Sequence, residues 1–199
     1  MATELDFKMK LENEGFSLPR RFLLNSPEDY AGNFPAVVKV SSESVLHKTE
    51  AGAVITDIRN REELRSAFSK LSSNFPGEKI YAEEMAPKGI EVMIGLLNDP
   101  LFGKIILFGL GGFYAELFKD VSFKRLPLSY FDAEDLIDEV RFSGIFKGYR
   151  GLSADRGMIT SLLLKVSKLA PDIQFSQVDL NPIFLYRSSY VIVDAKIIP

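Results

Sequence analysis

The sequence predicts an α+β fold, and three observations carry that expectation. Short runs of β-branched and apolar residues cluster in groups, with stretches of helical period between the groups. Turn chemistry punctuates the runs at Asn98-Asp99-Pro100, Gly111-Gly112 and Asn181-Pro182. The chain has 199 residues, 46% of them hydrophobic and 12% aromatic, mostly Phe, which suits one compact domain or two small lobes sharing a cleft.

The elements follow in order. Residues 4–14 are charged and weakly amphipathic, and read as a short helix ending at Gly15. Arg21 to Leu24 reads as an edge strand, and Pro27 to Phe34 as a short helix. Ala36-Val37-Val38-Lys39-Val40 is an apolar strand with a lysine inside it. Val54 to Ile58 is another strand. Asn60 then opens a helix, with Glu63 three residues on as in a capping box and Leu64, Phe68 and Leu71 as its apolar face. Ile80 to Glu84, Glu91 to Leu96 and Lys104 to Gly109 read as strands, and Phe113 to Phe118 as a further one. Ser129 caps a helix from about Tyr130 to Phe142. A longer helix runs from about Ala154 to Ala170, with Ile159, Leu162, Leu163, Val166 and Leu169 on one stripe. Gln177-Val178, Ile183 to Tyr186 and Tyr190 to Asp194 make an antiparallel finish. The chain shows no internal repeat.

Composition excludes several classes of function. Formal net charge is −3, with 24 basic and 27 acidic side chains, so there is no basic nucleic-acid footprint. No apolar run reaches the length of a membrane span, and the first residues lack a signal-peptide pattern. The absence of cysteine rules out disulfides and thiolate ligands and fits a cytoplasmic protein. With one histidine, a zinc site is not expected.

That histidine, His47, lies in Leu46-His47-Lys48-Thr49-Glu50-Ala51-Gly52-Ala53-Val54. Its unperturbed pKa lies near neutrality, so a neutral ring nitrogen is available to attack phosphorus. A plain surface-loop histidine is the alternative. Lys39 must either snorkel to solvent or meet an anion, because an unpaired buried ammonium is costly. Phe108-Gly109-Leu110-Gly111-Gly112 lets backbone approach a ligand, but it is not a dinucleotide fingerprint and also suits a hairpin turn. Alternation puts Asp179 and Asn181 on one face of an extended segment. Asp194 ends a β-branched run that could lie beside that segment. Oxygen ligands on two adjacent strands suit Mg²⁺, which takes one or two protein ligands and completes its shell with phosphate and water. A turn and an ordinary strand-end aspartate are the alternative. Glu83, Glu84 and Glu91, then Glu116, Lys119 and Asp120, read as solvated charge by default. Arg150 could orient an anion or simply sit in a glycine-bounded loop.

Taken in order, these segments resemble the β subunit of ADP-forming acyl-CoA synthetases (acetate–CoA ligase, ADP-forming), an ATP-grasp module. The resemblance covers about residues 10–199. It is carried by Val37-Val38-Lys39, the His47 segment, Glu84-Met85, Gly89-Ile90-Glu91-Val92-Met93-Ile94-Gly95, Asn98-Asp99-Pro100-Leu101-Phe102-Gly103, Phe108-Gly109-Leu110-Gly111-Gly112, Glu116 with Lys119-Asp120-Val121-Ser122-Phe123, Asp179-Leu180-Asn181-Pro182 and Val193-Asp194-Ala195-Lys196.

The resemblance implies an ATP-grasp fold, two α+β lobes gripping a nucleotide, over residues 1–86 and 87–199. Lys39 would bind phosphate. Glu83, Glu84, Met85 and Ala86 would form the hinge beside adenine, and Glu91 would hold the ribose. Gly111 and Gly112 would approach the nucleotide. Asn181 and Asp194 would hold Mg²⁺, and His47 would carry a phosphoryl group. The expected cofactors are ATP or ADP with Mg²⁺. The expected partner is a CoA-binding α subunit carrying the first phosphohistidine, in an α2β2 heterotetramer. The reaction implied is acyl-CoA + ADP + phosphate giving carboxylic acid + CoA + ATP, and the reverse.

Three departures from the family pattern are visible. Gly52-Ala53-Val54 stands where Gly-Gly-Val is common. Lys124 takes the place of an arginine, with Arg125 one residue on. Pro27 to Phe34 replaces a longer helix. Two other functions compete: a nucleotide-sensing subunit without turnover, and an ATP-grasp ligase that forms an amide through an acyl phosphate.

Overall fold

The computed structural model describes residues 3–42, 45, 51–112, 120–148 and 153–198. The chain divides into two compact units, Met1–Lys10 with Leu18–Pro87, and Leu11–Ser17 with Lys88–Pro199.

The first unit is built on a four-stranded antiparallel sheet. In chain order its strands are β1 (Arg21–Leu24), β2 (Ala36–Ser41), β3 (Val54–Ile58) and β4 (Lys79–Glu84), and in space they run β1-β4-β2-β3. Helix α2 (Arg61–Asn74) packs on one face through Leu64, Ala67 and Leu71, against Ala36, Val38, Val40, Ile80 and Ala82. Asn60 caps it as expected, its side chain accepting from the Glu63 N–H at 2.9 Å. Every residue of β2 is buried, so its second face is covered too. The first turns of helix α1 (Glu4–Asn13) reach that face, where Ser41 Oγ donates to Thr3 Oγ1 at 2.8 Å.

The expected helix at Pro27 to Phe34 is only a 3-10 turn, Pro27–Asp29. The Tyr30 ring turns fully inward and its hydroxyl donates to the Asn33 carbonyl. A Cβ at Gly32 would lie 2.7 Å from the Phe22 and Tyr30 rings, so the chain bends tightly around buried aromatics instead of coiling.

The second unit carries β5 (Ile90–Asp99), β6 (Gly103–Leu110), β7 (Val121–Arg125), β8 (Gln177–Leu185), β9 (Tyr190–Ile192) and β10 (Ala195–Ile198). The sheet order is β10-β8-β5-β6-β7, with β9 also paired to β8. Helices α3 (Tyr130–Glu139) and α4 (Arg156–Leu169) bury Ala133, Leu136 and Ile137, and Ile159, Leu162, Leu163 and Val166. Ser129 caps α3, and Asp155 caps α4 by accepting the Met158 N–H at 2.7 Å. Helix α3 ends three residues before the expected Phe142, because the Asp120 carboxylate accepts the N–H groups of Arg141 and Phe142 at 3.1 and 3.3 Å and fixes a turn there.

Two strands differ from expectation. Strand β7 was not among the expected strands, and it has no strand-like apolar face: Val121, Phe123 and Arg125 are exposed and Ser122 is buried. The inversion is stable because Ser122 Oγ lies 2.6 Å from the Leu136 carbonyl and 3.3 Å from that of Phe108, so its polarity is satisfied inside. Strand β8 runs unbroken through Asn181-Pro182, where a turn was the alternative. Its register against β5 slips between Val92 and Ile94, and the proline sits in that irregularity, where no ladder N–H is required of it. The strand expected over Phe113 to Phe118 lies outside the described residues. Among the described residues, no helix is long and apolar enough to cross a membrane.

Candidate functional site

The first unit brings four charged side chains together inside. Period-two alternation sends Lys39, Tyr81 and Glu83 to the sheet face that α1 covers, and Lys39 pairs in register with Tyr81. Lys39 Nζ lies 2.8 Å from Glu4 Oε1 and 3.2 Å from Glu83 Oε2. Lys8 Nζ donates to both Glu83 oxygens at 2.9 Å and lies 2.9 Å from Glu4 Oε1. Lys8 is fully buried, and Lys39 and Glu83 are 7% and 1% exposed. Two lysines and two glutamates sum to zero charge, which is how the group tolerates burial. Lys39 therefore meets an anion, as its place in an apolar strand demanded. Glu4 and Lys8 escaped the sequence reading. Their four-residue spacing is a surface-helix signature, and only the tertiary fold buries it.

The neighbouring segment is held by backbone and side chain alike. Glu84 Oε1 accepts from the Asn33 N–H at 2.8 Å and from Asn33 Nδ2 at 3.1 Å, with Arg20 Nη1 at 3.3 Å. Its carboxylate thus pins the loop before β2. The Met85 N–H donates to the Pro35 carbonyl at 2.9 Å, and its sulfur accepts the Asp57 N–H at 3.3 Å. Met85 is exposed and Ala86 half-buried, so this stretch offers an accessible edge.

In the second unit, irregularities in neighbouring strands coincide. Strands β9 and β10 lie end to end along β8, and Val193-Asp194 fills the gap between them. Opposite that gap lies the slipped register at Asn181-Pro182. The Asn181 N–H donates to the Asp194 carbonyl at 3.2 Å, and the Val193 N–H to that of Pro182 at 3.0 Å. Asn181 and Asp194 are thereby side by side, both half-buried.

The glycine turn closes on the same place. The Gly111 N–H donates to the Glu91 carbonyl at 2.9 Å, and the Gly112 N–H to Asn181 Oδ1 at 2.9 Å. Gly112 has φ +59°, and a Cβ there would fall on the Glu91 carboxylate. A Cβ at Gly111 would come within 2.5 Å of the Val92 carbonyl. Both positions therefore need glycine for close approach. Glu91, Gly111, Gly112, Asn181 and Asp194 form one cluster.

The donors fit a hard divalent cation. Asp179 shares the Asn181 face of β8, and its Oδ1 is buried with no hydrogen-bond partner. Burial pushes its carboxyl pKa up, and Lys196 opposes that shift. Asn181 and Asp194 supply oxygen only, the ligand type Mg²⁺ takes. Among the described residues, no group of three or more His, Cys, Asp or Glu side chains could hold a metal. His47, Glu116, Lys119 and Arg150 lie outside the described residues.

Two units, each an antiparallel sheet with covering helices, are the α+β architecture that the resemblance implied. The ATP-grasp domain model matches residues 4–198, and the chain belongs to that family. Its relatives narrow the group. The β subunit of acetate–CoA ligase (ADP-forming) II from Pyrococcus furiosus is 37% identical over 98% of this chain and 90% of its own length. Acetate–CoA ligase (ADP-forming) II from Archaeoglobus fulgidus is 38% identical over 83% of this chain, which spans only 24% of that longer relative. Among solved structures, acetyl-coenzyme A synthetase 1 of Ca. Korarchaeum cryptofilum, in complex with coenzyme A and Ca-AMPCP, superposes with TM-score 0.89 at 35% identity, over 98% of this chain and 92% of that one. A Pyrococcus horikoshii protein gives TM-score 0.90 at 36% identity, over 100% of this chain and 90% of its own.

Proposed function

We propose that this chain is the nucleotide-binding β subunit of an ADP-forming acyl-CoA synthetase, and that it passes a phosphoryl group between a partner-subunit phosphohistidine and ADP through His47. The observation that carries the reading is the Asn181–Asp194 pair, set side by side by two strand irregularities and locked by the Gly112 N–H. Relatives named as β subunits and as longer single chains support a partner that supplies the CoA and acyl chemistry. A Korarchaeum structure described with coenzyme A, Mg-AMPPCP and a phosphohistidine segment pointing towards the nucleotide site supports the relay.

In this reading Lys39 contacts nucleotide phosphate, Glu91 the ribose, and the Glu83–Ala86 stretch the adenine. Gly111 and Gly112 keep backbone close enough for Glu91 and Asn181 to face the ligand. Asn181 and Asp194 would hold Mg²⁺, which offsets charge on the transferring phosphoryl. The partner's N–P bond breaks as a His47 N–P bond forms. That bond breaks in turn as a β-phosphate oxygen of ADP bonds the phosphorus, giving ATP. A histidine carrier suits both steps because its neutral nitrogen is nucleophilic near pH 7 and leaves readily once phosphorylated.

The test is His47→Asn assayed with the partner present. Unchanged Mg-ADP affinity with loss of ATP formation is the expected result. ATP formation that survives the substitution would eliminate the relay. Nucleotide binding without turnover in the unaltered complex would favour a sensing subunit instead.

A further inference from the structure

The buried charge group of the first unit has a feature that charge balance alone does not require. Glu4 Oε1 touches both lysines, Lys39 at 2.8 Å and Lys8 at 2.9 Å. Beside them the Tyr81 hydroxyl is fully buried and has no hydrogen-bond partner. Burial first holds its pKa well above the ordinary tyrosine value; the Glu4 and Glu83 charges and an incipient hydrogen bond to the Glu4 carboxylate add to this, and Lys39 opposes it. The hydroxyl thus keeps its proton and already faces the carboxylate to which it can donate. An orphaned buried hydroxyl is costly and rare.

We propose that Glu4 is an internal stand-in for phosphate on Lys39, and that Tyr81 is the seat to which its carboxylate moves when a nucleotide phosphate takes the lysine. This rests on the reading that Lys39 holds nucleotide phosphate. Adding a phosphate beside two carboxylates would leave the group with excess negative charge, which a low-dielectric site opposes. Letting Glu4 withdraw from Lys39 relieves the clash at that ammonium. Glu4 keeps Lys8, its neighbour one helical turn along α1, and gains the Tyr81 O–H. Every charged atom stays paired and the orphaned hydroxyl is satisfied. Glu4 and Tyr81 are then positioning residues that set how strongly Lys39 attracts phosphate, and only ligands bearing phosphate sense them.

The experiment is calorimetric titration of the chain with Mg-ADP and with adenosine, for the unaltered protein, Glu4→Gln, Tyr81→Phe, the double variant and Lys39→Met. Removing the competing charge in Glu4→Gln should tighten Mg-ADP binding about fivefold, an effect of the size of one ordinary net hydrogen bond, and leave adenosine affinity unchanged. Tyr81→Phe keeps the packing and removes the seat, so Mg-ADP should bind more weakly without loss of stability. In the double variant the tyrosine effect should vanish. Unchanged or weaker Mg-ADP binding by Glu4→Gln overturns the proposal, as does a parallel change in adenosine affinity. Lys39→Met binding Mg-ADP as tightly as the unaltered chain would instead remove the assignment of Lys39 to phosphate. Absence of binding in every variant would count against the nucleotide reading itself.

Discussion

Single residues in this chain carry consequences that can be measured directly. Asp57 has φ 60° in the bulged edge of β3, the one left-handed non-glycine among the described residues. Aspartate tolerates that region better than most side chains, and a β-branched residue tolerates it worst. Asp57→Val should lower stability by about 1–2 kcal/mol and Asp57→Asn should leave it nearly unchanged, as read by urea denaturation. Tyr30 is a second case. Burial first, and then the nearby Glu84 charge, push its pKa up to about 12. The folded state therefore holds the proton more tightly than the unfolded chain does. The stability this contributes is complete below pH 10 and is lost as pH rises from about 10 to 12. Urea midpoints taken at pH 9 and pH 11.5 should differ less in Tyr30→Phe than in the unaltered protein.

At the scale of elements, the cluster in the second unit depends on features that break regular structure. The Gly111-Gly112 turn, the β8 irregularity and the β9–β10 gap each interrupt a ladder, and together they gather Glu91, Asn181 and Asp194. Gly112→Ala should displace the Glu91 carboxylate and strain the backbone at φ +59°, costing about 1–2 kcal/mol of stability. Calorimetry should show weaker Mg-ADP binding by the same variant. The helix pair behaves differently. Arg156 lies 2.6 Å from Glu134 and 2.6 Å from Asp138, tying α4 to α3 with no bond to any of the candidate ligands among the described residues. Arg156→Met should lower the thermal midpoint modestly, by about 1 kcal/mol or less of stability, because these groups are partly solvated. Mg-ADP affinity should stay the same. Thr160 and Arg156, as hydrogen-bond donors, hold the Glu134 pKa below its usual value. That contribution is present at neutral pH and fades as pH falls through the lowered pKa.

Over the whole molecule, each unit has its own sheet and its own covering helices, and each carries a separate part of the candidate machinery. Phosphoryl transfer to ADP should require the partner subunit, whereas Mg-ADP binding should not. Comparing the isolated chain with the reconstituted complex by calorimetry and by ATP formation checks both halves of that statement. Much of this organisation was legible in the sequence. Lys39 stood out because a lysine inside Val37-Val38-Lys39-Val40 must reach either solvent or an anion. Asn60 and Ser129 sit where helix caps belong, whereas the Asp155 cap escaped the sequence reading, which started that helix at about Ala154. Alternation placed Asp179 and Asn181 on one face, but the pairing of Asn181 with Asp194 came only from the family resemblance, since a turn and an ordinary strand-end aspartate fitted the residues as well. Strand β7 was not legible, because its buried residue is Ser122 and its apolar residues face outward. The pattern reverses only because carbonyls of Phe108 and Leu136 are there to receive the hydroxyl. The sequence by itself determined the class of fold, most of its elements and the residue types able to meet phosphate and a cation, since periodicity and turn chemistry act over a few residues. Tertiary structure alone decided that Glu4 and Lys8 leave the surface to pair with Glu83 and Lys39, and that Gly112 donates to Asn181, because these contacts join positions 35 to 75 residues apart, at which no local pattern records the charge or hydrogen bond that will complete them.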